Sequence, residues 1–406
     1  MKTSLWRLAW RYLWANPLVS GLNLLLLSLG LAAMSFVLLV SEQIESGVRR
    51  DLAGVDLVVG AKGSPMQIML AGLFHLDTPT GNIPLAALEQ LRAQPLVASA
   101  VPLSLGDSFK GYRIVGSTHD YPALYQARLT QGRLWQAPLE AVLGAEVARA
   151  SGLGLGDTFA GSHGLGEGGH EHEEQRYRVV GVLAGSGSVL DRLVLTDLAS
   201  IWAVHEDMHG HEEDDHHAHD AEATPRQITL ALVRYRSPLA AVSLPRWVNA
   251  QDGLQAASPA LETARLLRMV GAGTEVLRGF GVVLLLAAAL SVFVALLHAV
   301  RERQTDLAML RMLGAPPQRL AGLIAAEALW LALLASTLGL ALGHGLTAVL
   351  GWALAQQQSL SVVGLWFSPW ELSVPLLALG LALLSSAWPA WRAYRLDVTE
   401  LLQAPR

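Results

Sequence analysis

Residues 282–320 read VVLLLAAALSVFVALLHAV followed by RERQTDLAMLRMLGAPPQRL. An apolar run of about 19 residues, at ~1.5 Å per residue, approaches the ~30 Å hydrocarbon thickness of a bilayer. The charged segment that follows at once, closed by Gly-Ala-Pro-Pro, predicts a membrane helix handing over to a short surface helix. Leu307, Leu310, Met312 and Leu313 offer apolar contacts at roughly helical spacing, while Arg301, Arg303, Arg311 and Arg319 hold the segment in the polar phase. An amphipathic surface of this kind implies a partner on its own side of the membrane.

Three more spans frame this one. Residues 1–17 carry Lys2, Arg7 and Arg11 with Trp6, Trp10, Tyr12 and Trp14, an interface-seeking amphipathic helix. Residues 18–40 are too long an apolar run for a signal-peptide core and are read as a retained anchor. The second span covers 280–300, the third 320–355 and the fourth 372–391. Four spans put both termini on one side. The basic residues of 1–17, the 301–319 segment and the 392–406 tail all fall there, whereas 356–371 contains no Lys or Arg. The positive-inside rule makes that side cytoplasmic and puts the chain in an inner membrane, with 41–273 outside.

The outer segment is acidic: 41–273 holds 18 Lys and Arg against 27 Asp and Glu, and the remainder 11 against 7. A basic face for nucleic acid is therefore missing from the hydrophilic part, and 52% hydrophobic residues exclude an ordinary soluble enzyme. With no Cys, disulfides, thiolate metal sites and Cys nucleophiles are excluded. DLVVGAK, YRIVGST, RYRVVGVLAG, RLVLTDL and RQITLALVRYR predict strands; PLAALEQLRAQP and EAVLGAEVARASG predict helices, the latter capped by Gly152. The mixture is α+β, without regular βαβ alternation. The stretch GAKGSPMQIMLAGLFHLDTPTGNIPL has an apolar centre at Ile68, Met69, Leu70, Leu73 and Phe74. It reads either as a membrane-surface or cargo-facing element or as domain core, and its Lys62, His75 and Asp77 form no catalytic set.

At this point the chain resembles the MacB/LolC/FtsX-like ABC transporter permease family, the mechanotransmission type. The order of one span, a large outer domain and three spans matches that layout. RERQTDLAMLRMLGAPPQRL resembles the family's cytoplasmic segment, AEALWLALLASTLGLALG its third span, and PAWRAYRLDVTELL its C-terminal signature. In the outer domain, LGAEVARASGLGLGDTF and YRVVGVLAGSGSVLDRLVLTDL resemble the periplasmic core. The resemblance implies four membrane helices with an α+β extracytoplasmic domain inserted between the first and second. It also implies a cytoplasmic ABC ATPase dimer as partner, docked on a coupling helix with Arg301, Arg303, Asp306, Leu307, Leu310, Arg311, Gly314 and Ala315, and a second permease copy completing a homodimer. Two departures blur the carry-over: Asp397-Val398 replaces Asp-Pro, and Gln304-Thr305 replaces a Lys/Arg-Glu pair. Read without the resemblance, the same arginines serve only to set topology and bind headgroups.

The chain has no GxxxxGK[ST] loop, so ATP is expected on a separate subunit and the chain itself is not an enzyme. Intramembrane ionisable residues by default suggest function. Glu327 lies near the start of its span, where it either snorkels or pairs with Arg301 or Arg303. His344 sits among Gly339, Gly343 and Gly345 and reads as a helix contact; His298 reads as interfacial. Nine of 13 histidines fall in two acidic segments, 163–174 (His163, His170, His172) and 205–220 (His205, His209, His211, His216, His217, His219). Neutral imidazoles beside carboxylates suit zinc, and also copper or nickel. A solvated loop without metal has the same composition. No covalently bound cofactor is expected.

The sequence thus reads as a permease coupling a separate ATPase to periplasmic work on a lipoprotein, an adaptor or a metal-binding protein, with zinc in the His-rich loops. Two alternatives stay open: an FtsX-like regulator of a periplasmic enzyme, and a component of a metal-import system.

Overall fold

The computed structural model describes residues 5–52, 54–163, 171–209, 226–356 and 362–395, with the side chains of 163, 171–174, 205–209, 270, 272, 355 and 356 outside that description. The chain divides into two compact units. One comprises Met1–Ile44, Met269–Gln356 and Leu360–Arg406; the other comprises Glu45–Arg268 and Gln357–Ser359.

The first unit contains the apolar parts of four helices long enough to cross a membrane: Pro17–Leu52, Pro259–Glu302, Pro317–Gln356 and Ser373–Tyr394. Three of them begin at proline, whose missing N–H costs nothing in a first turn. At 36, 44 and 40 residues, the first three greatly exceed the ~20 residues a bilayer needs. The expected spans 18–40, 280–300 and 320–355 therefore sit inside longer helices. The amphipathic helix Leu5–Leu13 buries Ala9 and Leu13 against the same core.

That core is built from small side chains beside leucines: Leu31, Leu285, Ala288, Val292, Leu331, Ala335, Ala378 and Ala382 are all buried. Leu286, Leu290, Val294, Leu376 and Leu384 remain exposed, as a lipid-facing surface requires. Helices approach closely at Gly339 and Gly343. A Cβ on Gly339 would lie 2.7 Å from Leu31 Cβ, and one on Gly343 2.7 Å from Ser35 Cβ.

The second unit is α+β. Its strands are β1 (Leu57–Ala61), β2 (Ile83–Pro84), β3 (Val97–Phe109), β4 (Tyr112–Ser117), β5 (Leu129–Gly132), β6 (Glu140–Leu143), β7 (Thr158–His163), β8 (Glu171–Leu183), β9 (Leu193–Asp197), β10 (Gln227–Ile228), β11 (Leu230–Tyr235) and β12 (Leu254–Ala257). Among the described residues they form a ten-stranded sheet ordered β12-β1-β11-β3-β4-β9-β6-β8-β5, with β7 pairing β3 and β8, and a separate pair β10-β2. The pairs β4–β9 and β6–β8 are parallel, and every other pair is antiparallel. β4 and β6 are buried along their whole length, including the polar side chains of Arg113 and Ser117 on β4 and of Glu140 at the start of β6. Leu57, Val59, Leu91, Val233 and Leu244 fill one core cluster; Ile114, Leu143, Phe159, Tyr177 and Val194 fill another.

The predicted helix EAVLGAEVARASG needs correction. Glu140–Leu143 is a strand bonded on both sides, and the helix starts only at Ala145, ending at Gly152 with φ 73°. Four buried positions in succession suit a central strand, whereas a short surface helix has one buried stripe. PLAALEQLRAQP does supply the helix Leu85–Ala93. In the apolar stretch after β1, the short helix Pro65–Met69 and the wider turn Leu70–Phe74 bury Ile68, Met69, Leu73 and Phe74, so this stretch is domain core.

Candidate functional site

The helix Pro259–Glu302 ends in Arg301 and Glu302, and Arg303, with φ −99° and ψ 16°, breaks the helical course before the short helix Gln304–Met312 begins. Gly314 then adopts φ 90°, a left-handed conformation that carries little penalty only for glycine, and Pro317 opens the next long helix. The expected coupling helix 301–319 is therefore two breaks around a nine-residue helix.

Its faces divide unevenly. Leu307 and Ala308 are buried in the core of the membrane unit, and Leu310, Arg311 and Ala315 are half-buried. Arg301, Asp306 and Gly314 are exposed. Met309, Met312 and Leu313 are exposed large apolar side chains, Leu313 at 85%. Met309 was outside the expected contact set, although its spacing to Met312 and Leu313, three and four residues on, is the one that shares a helix face.

Arg303 anchors this segment from behind. Its Nη1 donates to Glu327 Oε1 at 3.0 Å and its Nη2 to the Tyr12 carbonyl at 2.8 Å, while the guanidinium lies 4.5 Å from the Tyr12 ring centroid. Glu327 is buried, so of its two expected partners the arginine it meets is Arg303. Beside this anchor, Trp330 Nε1 donates to the Trp6 carbonyl at 3.2 Å, and its ring meets Trp6 and Trp10 edge-on at 6.0 and 5.0 Å. A cavity of about 70 Å³ opens between these helices, with Asn16, Ser20, Asn23, His298, Glu302 and Glu327 in its lining. His298 Nε2 is 3.2 Å from Glu302 Oε1.

His344 occupies a second polar cluster. Its Nδ1 is 2.6 Å from the Gly364 carbonyl and so carries a proton toward it. Its Nε2 is 2.9 Å from Glu371 Oε1, a hydrogen bond only when a proton lies between them. The Ser368 backbone N–H donates to Glu371 Oε2 at 3.1 Å, and the Ser368 hydroxyl donates to Glu42. Gln43 pairs in both directions with the Val363 backbone, at 3.1 and 2.8 Å. The sequence made His344 a helix contact; its Glu371 partner lies too far along the chain for spacing to reveal.

In the second unit, Glu140 takes two hydrogen bonds from Arg133, at 2.7 and 2.6 Å, and one from the Gln136 backbone at 2.8 Å. These bonds hold its carboxyl down at about 2. Of the expected metal ligands, His170, His211, His216, His217 and His219 lie outside the described residues, as do the side chains of His163, His172, His205 and His209. Among the described residues no group of three or more His, Cys, Asp or Glu side chains is arranged to hold a metal ion.

The MacB-like periplasmic core domain family matches residues 20–241, and the FtsX-like permease C-terminal family matches residues 278–398. No curated protein sequence matches the chain. Among solved structures, the periplasmic region of MacB from Actinobacillus actinomycetemcomitans is similar at 14% identity, over 53% of this chain and 94% of that one, with a TM-score of 0.35. The extracellular domain of the noncanonic ABC-type transporter YknZ from Gram-positive bacteria is similar at 12% identity, over 49% and 98%, with a TM-score of 0.30.

Proposed function

The chain belongs to the MacB/FtsX-like family of ABC transporter permeases, and from that premise we propose that it transmits ATP-driven motion from a cytoplasmic ATPase dimer to its outer domain. The observation that carries this reading is the exposed apolar patch of Met309, Met312 and Leu313, carried on a helix whose other face is held in the membrane unit. In this reading the patch seats in the ATPase, with Arg301, Asp306 and Arg311 at its polar margin. ATP is hydrolysed by that partner, because this chain lacks a phosphate-cradling loop of its own.

Arg303 is then the joint. It lies between the second span helix and the short helix, and it is bound at once to Glu327 on the third span helix and to Tyr12 on the N-terminal helix. A push on the short helix is thereby divided among three elements rather than absorbed at a flexible loop. Both termini and the 301–319 segment are cytoplasmic in this arrangement, the membrane is the inner one, and two permease copies pair across small-residue faces. The client is a periplasmic or lipid-anchored molecule moved without crossing the bilayer.

The nine clustered histidines favour a metal-linked variant of this reading, in which zinc bound to 163–174 and 205–220 gates the outer domain or marks a metal-bearing client. Deleting 205–219 from the complex and measuring ATP hydrolysis with and without Zn2+ tests it; identical responses in both proteins remove the metal from the mechanism. For the coupling itself, Met309→Ser, Met312→Ser and Leu313→Ser are combined and the permease is co-purified with any ATPase encoded beside it. Loss of the ATPase from a permease that still elutes as a folded membrane protein is the expected result. Undiminished co-purification overturns the assignment.

A further inference from the structure

The segment that leads into the fourth span is seated tightly on the third span helix. A Cβ on Gly351 would lie 2.0 Å from the Val362 carbonyl oxygen, and one on Gly364 would lie 2.5 Å from Ala348 Cβ. Val362 is 8% exposed, whereas Leu365, Phe367 and Trp370 project outward. Glu42 on the first span helix accepts from the Ser368 hydroxyl, and Glu371 accepts from the Ser368 N–H through Oε2. Glu371 is 7% exposed; its Oε1 is buried, takes no aligned hydrogen bond among the described residues, and lies 2.9 Å from His344 Nε2. Other charges here are engaged elsewhere. Glu275 and Arg278 on the second span helix pair with each other at 2.6 Å, Glu45 pairs with Arg49 at 2.6 Å, and residues 373–391 contain no titratable side chain. Among the described residues no Lys or Arg forms an ion pair with Glu42 or Glu371.

The Gly364 carbonyl, 2.6 Å from His344 Nδ1, can only accept, so Nδ1 carries hydrogen. With no further hydrogen on Nε2 or Oε1, a lone pair would face a buried carboxylate oxygen whose charge is uncompensated. One more proton removes that cost, either as imidazolium against carboxylate or as neutral imidazole against carboxylic acid. Both arrangements hold the same number of hydrogens. We propose that His344 and Glu371 form a proton-binding site, and that the bound proton keeps the 362–371 segment seated on the first and third span helices. His344 stands far along Pro317–Gln356, roughly 40 Å from its start at ~1.5 Å per residue. The site is thus at the end of the membrane unit away from the 301–319 segment, and it exchanges its proton with the compartment on that side. When the proton leaves, the pair carries a net negative charge beside Glu42, and the segment loosens. The seat is therefore firmest in acid and is lost as the pH rises.

Because the chain has no Cys, Val362→Cys and Leu365→Cys each supply a single thiol, one covered and one exposed. In the full chain in detergent, the ratio of their maleimide-labelling rates at equal pH is followed from about pH 5.5 to 8.5, the range in which imidazole ordinarily titrates. Expected is a ratio that rises with pH by about tenfold or more, the scale of one lost charge-assisted hydrogen bond. Glu371→Gln, whose amide N–H donates to the neutral imidazole, should hold the ratio low at every pH, and Glu371→Ala should hold it high at every pH. A flat ratio in the otherwise native chain, or a rise in Glu371→Gln that matches the native one, overturns the site. Should the Glu371 variants fail to fold, hydrogen exchange of the native chain decides the matter, read at the amides of Val363 and Ser368 and corrected for intrinsic rates. Protection that falls as the pH rises supports the bound proton, and constant protection refutes it.

Discussion

Arg303 and Glu327 form a buried ion pair, and the same guanidinium also donates to the Tyr12 carbonyl, so neither is expendable alone. Glu327→Gln leaves a largely buried guanidinium without its counter-charge, and truncations of that kind cost roughly 3–5 kcal/mol. The expected outcome is a clear drop in thermal stability together with loss of permease-stimulated ATP hydrolysis. The exchange Arg303→Glu with Glu327→Arg should recover part of both, and a double variant as inactive as the singles would refute the joint. Glu140 offers a test by pH. Its folded carboxyl sits at about 2, below the ordinary 4.5, so its bond to Arg133 adds stability above pH 4.5 that is lost as the pH falls toward 2. Arg133→Gln should therefore be less stable than the native chain by a constant amount at neutral pH, with the gap closing between those two values in acid unfolding curves.

Gly343 and Gly345 are two residues apart on one helix and differ in surroundings: a Cβ on the first meets Ser35, and one on the second meets nothing within 4 Å. Gly343→Ala should cost about 1–3 kcal/mol through overpacking, while Gly345→Ala should be neutral or stabilising by up to ~1 kcal/mol through helix propensity. Thermal unfolding in detergent separates them, and equal effects would mean that the close approach does not matter. Such pairwise approach is invisible in hydropathy, which sees two glycines in one apolar run. What hydropathy and charge did reveal were the four long helices and the α+β insertion, because apolar length and β-branched runs are local properties. The strand Glu140–Leu143 was misread because a short buried run carries no period of its own, and its identity comes from neighbours distant in sequence. Arg303 and Glu327 were legible as candidates, whereas the outward turn of Met309 depended on where Gln304–Met312 docks.

At the scale of the whole molecule, the absence of cysteine makes orientation directly measurable. Glu89→Cys, on an exposed position of the outer unit, should react with a membrane-impermeant maleimide on intact cells, and Arg301→Cys only after permeabilisation. The reverse pattern would invert the proposed topology. Charge asymmetry gives the reason for this expectation: the acidic 41–273 and the basic remainder are segregated by the spans. The His344–Glu371 contact, finally, bears on biogenesis. One partner belongs to the third span helix and the other stands at the threshold of the fourth, so the contact between them forms only once both segments have left the ribosome. The third and fourth spans are thus suited to enter the bilayer together as a helical hairpin, and a nascent chain stopped before residue 371 would hold an imidazole still waiting for its carboxylate.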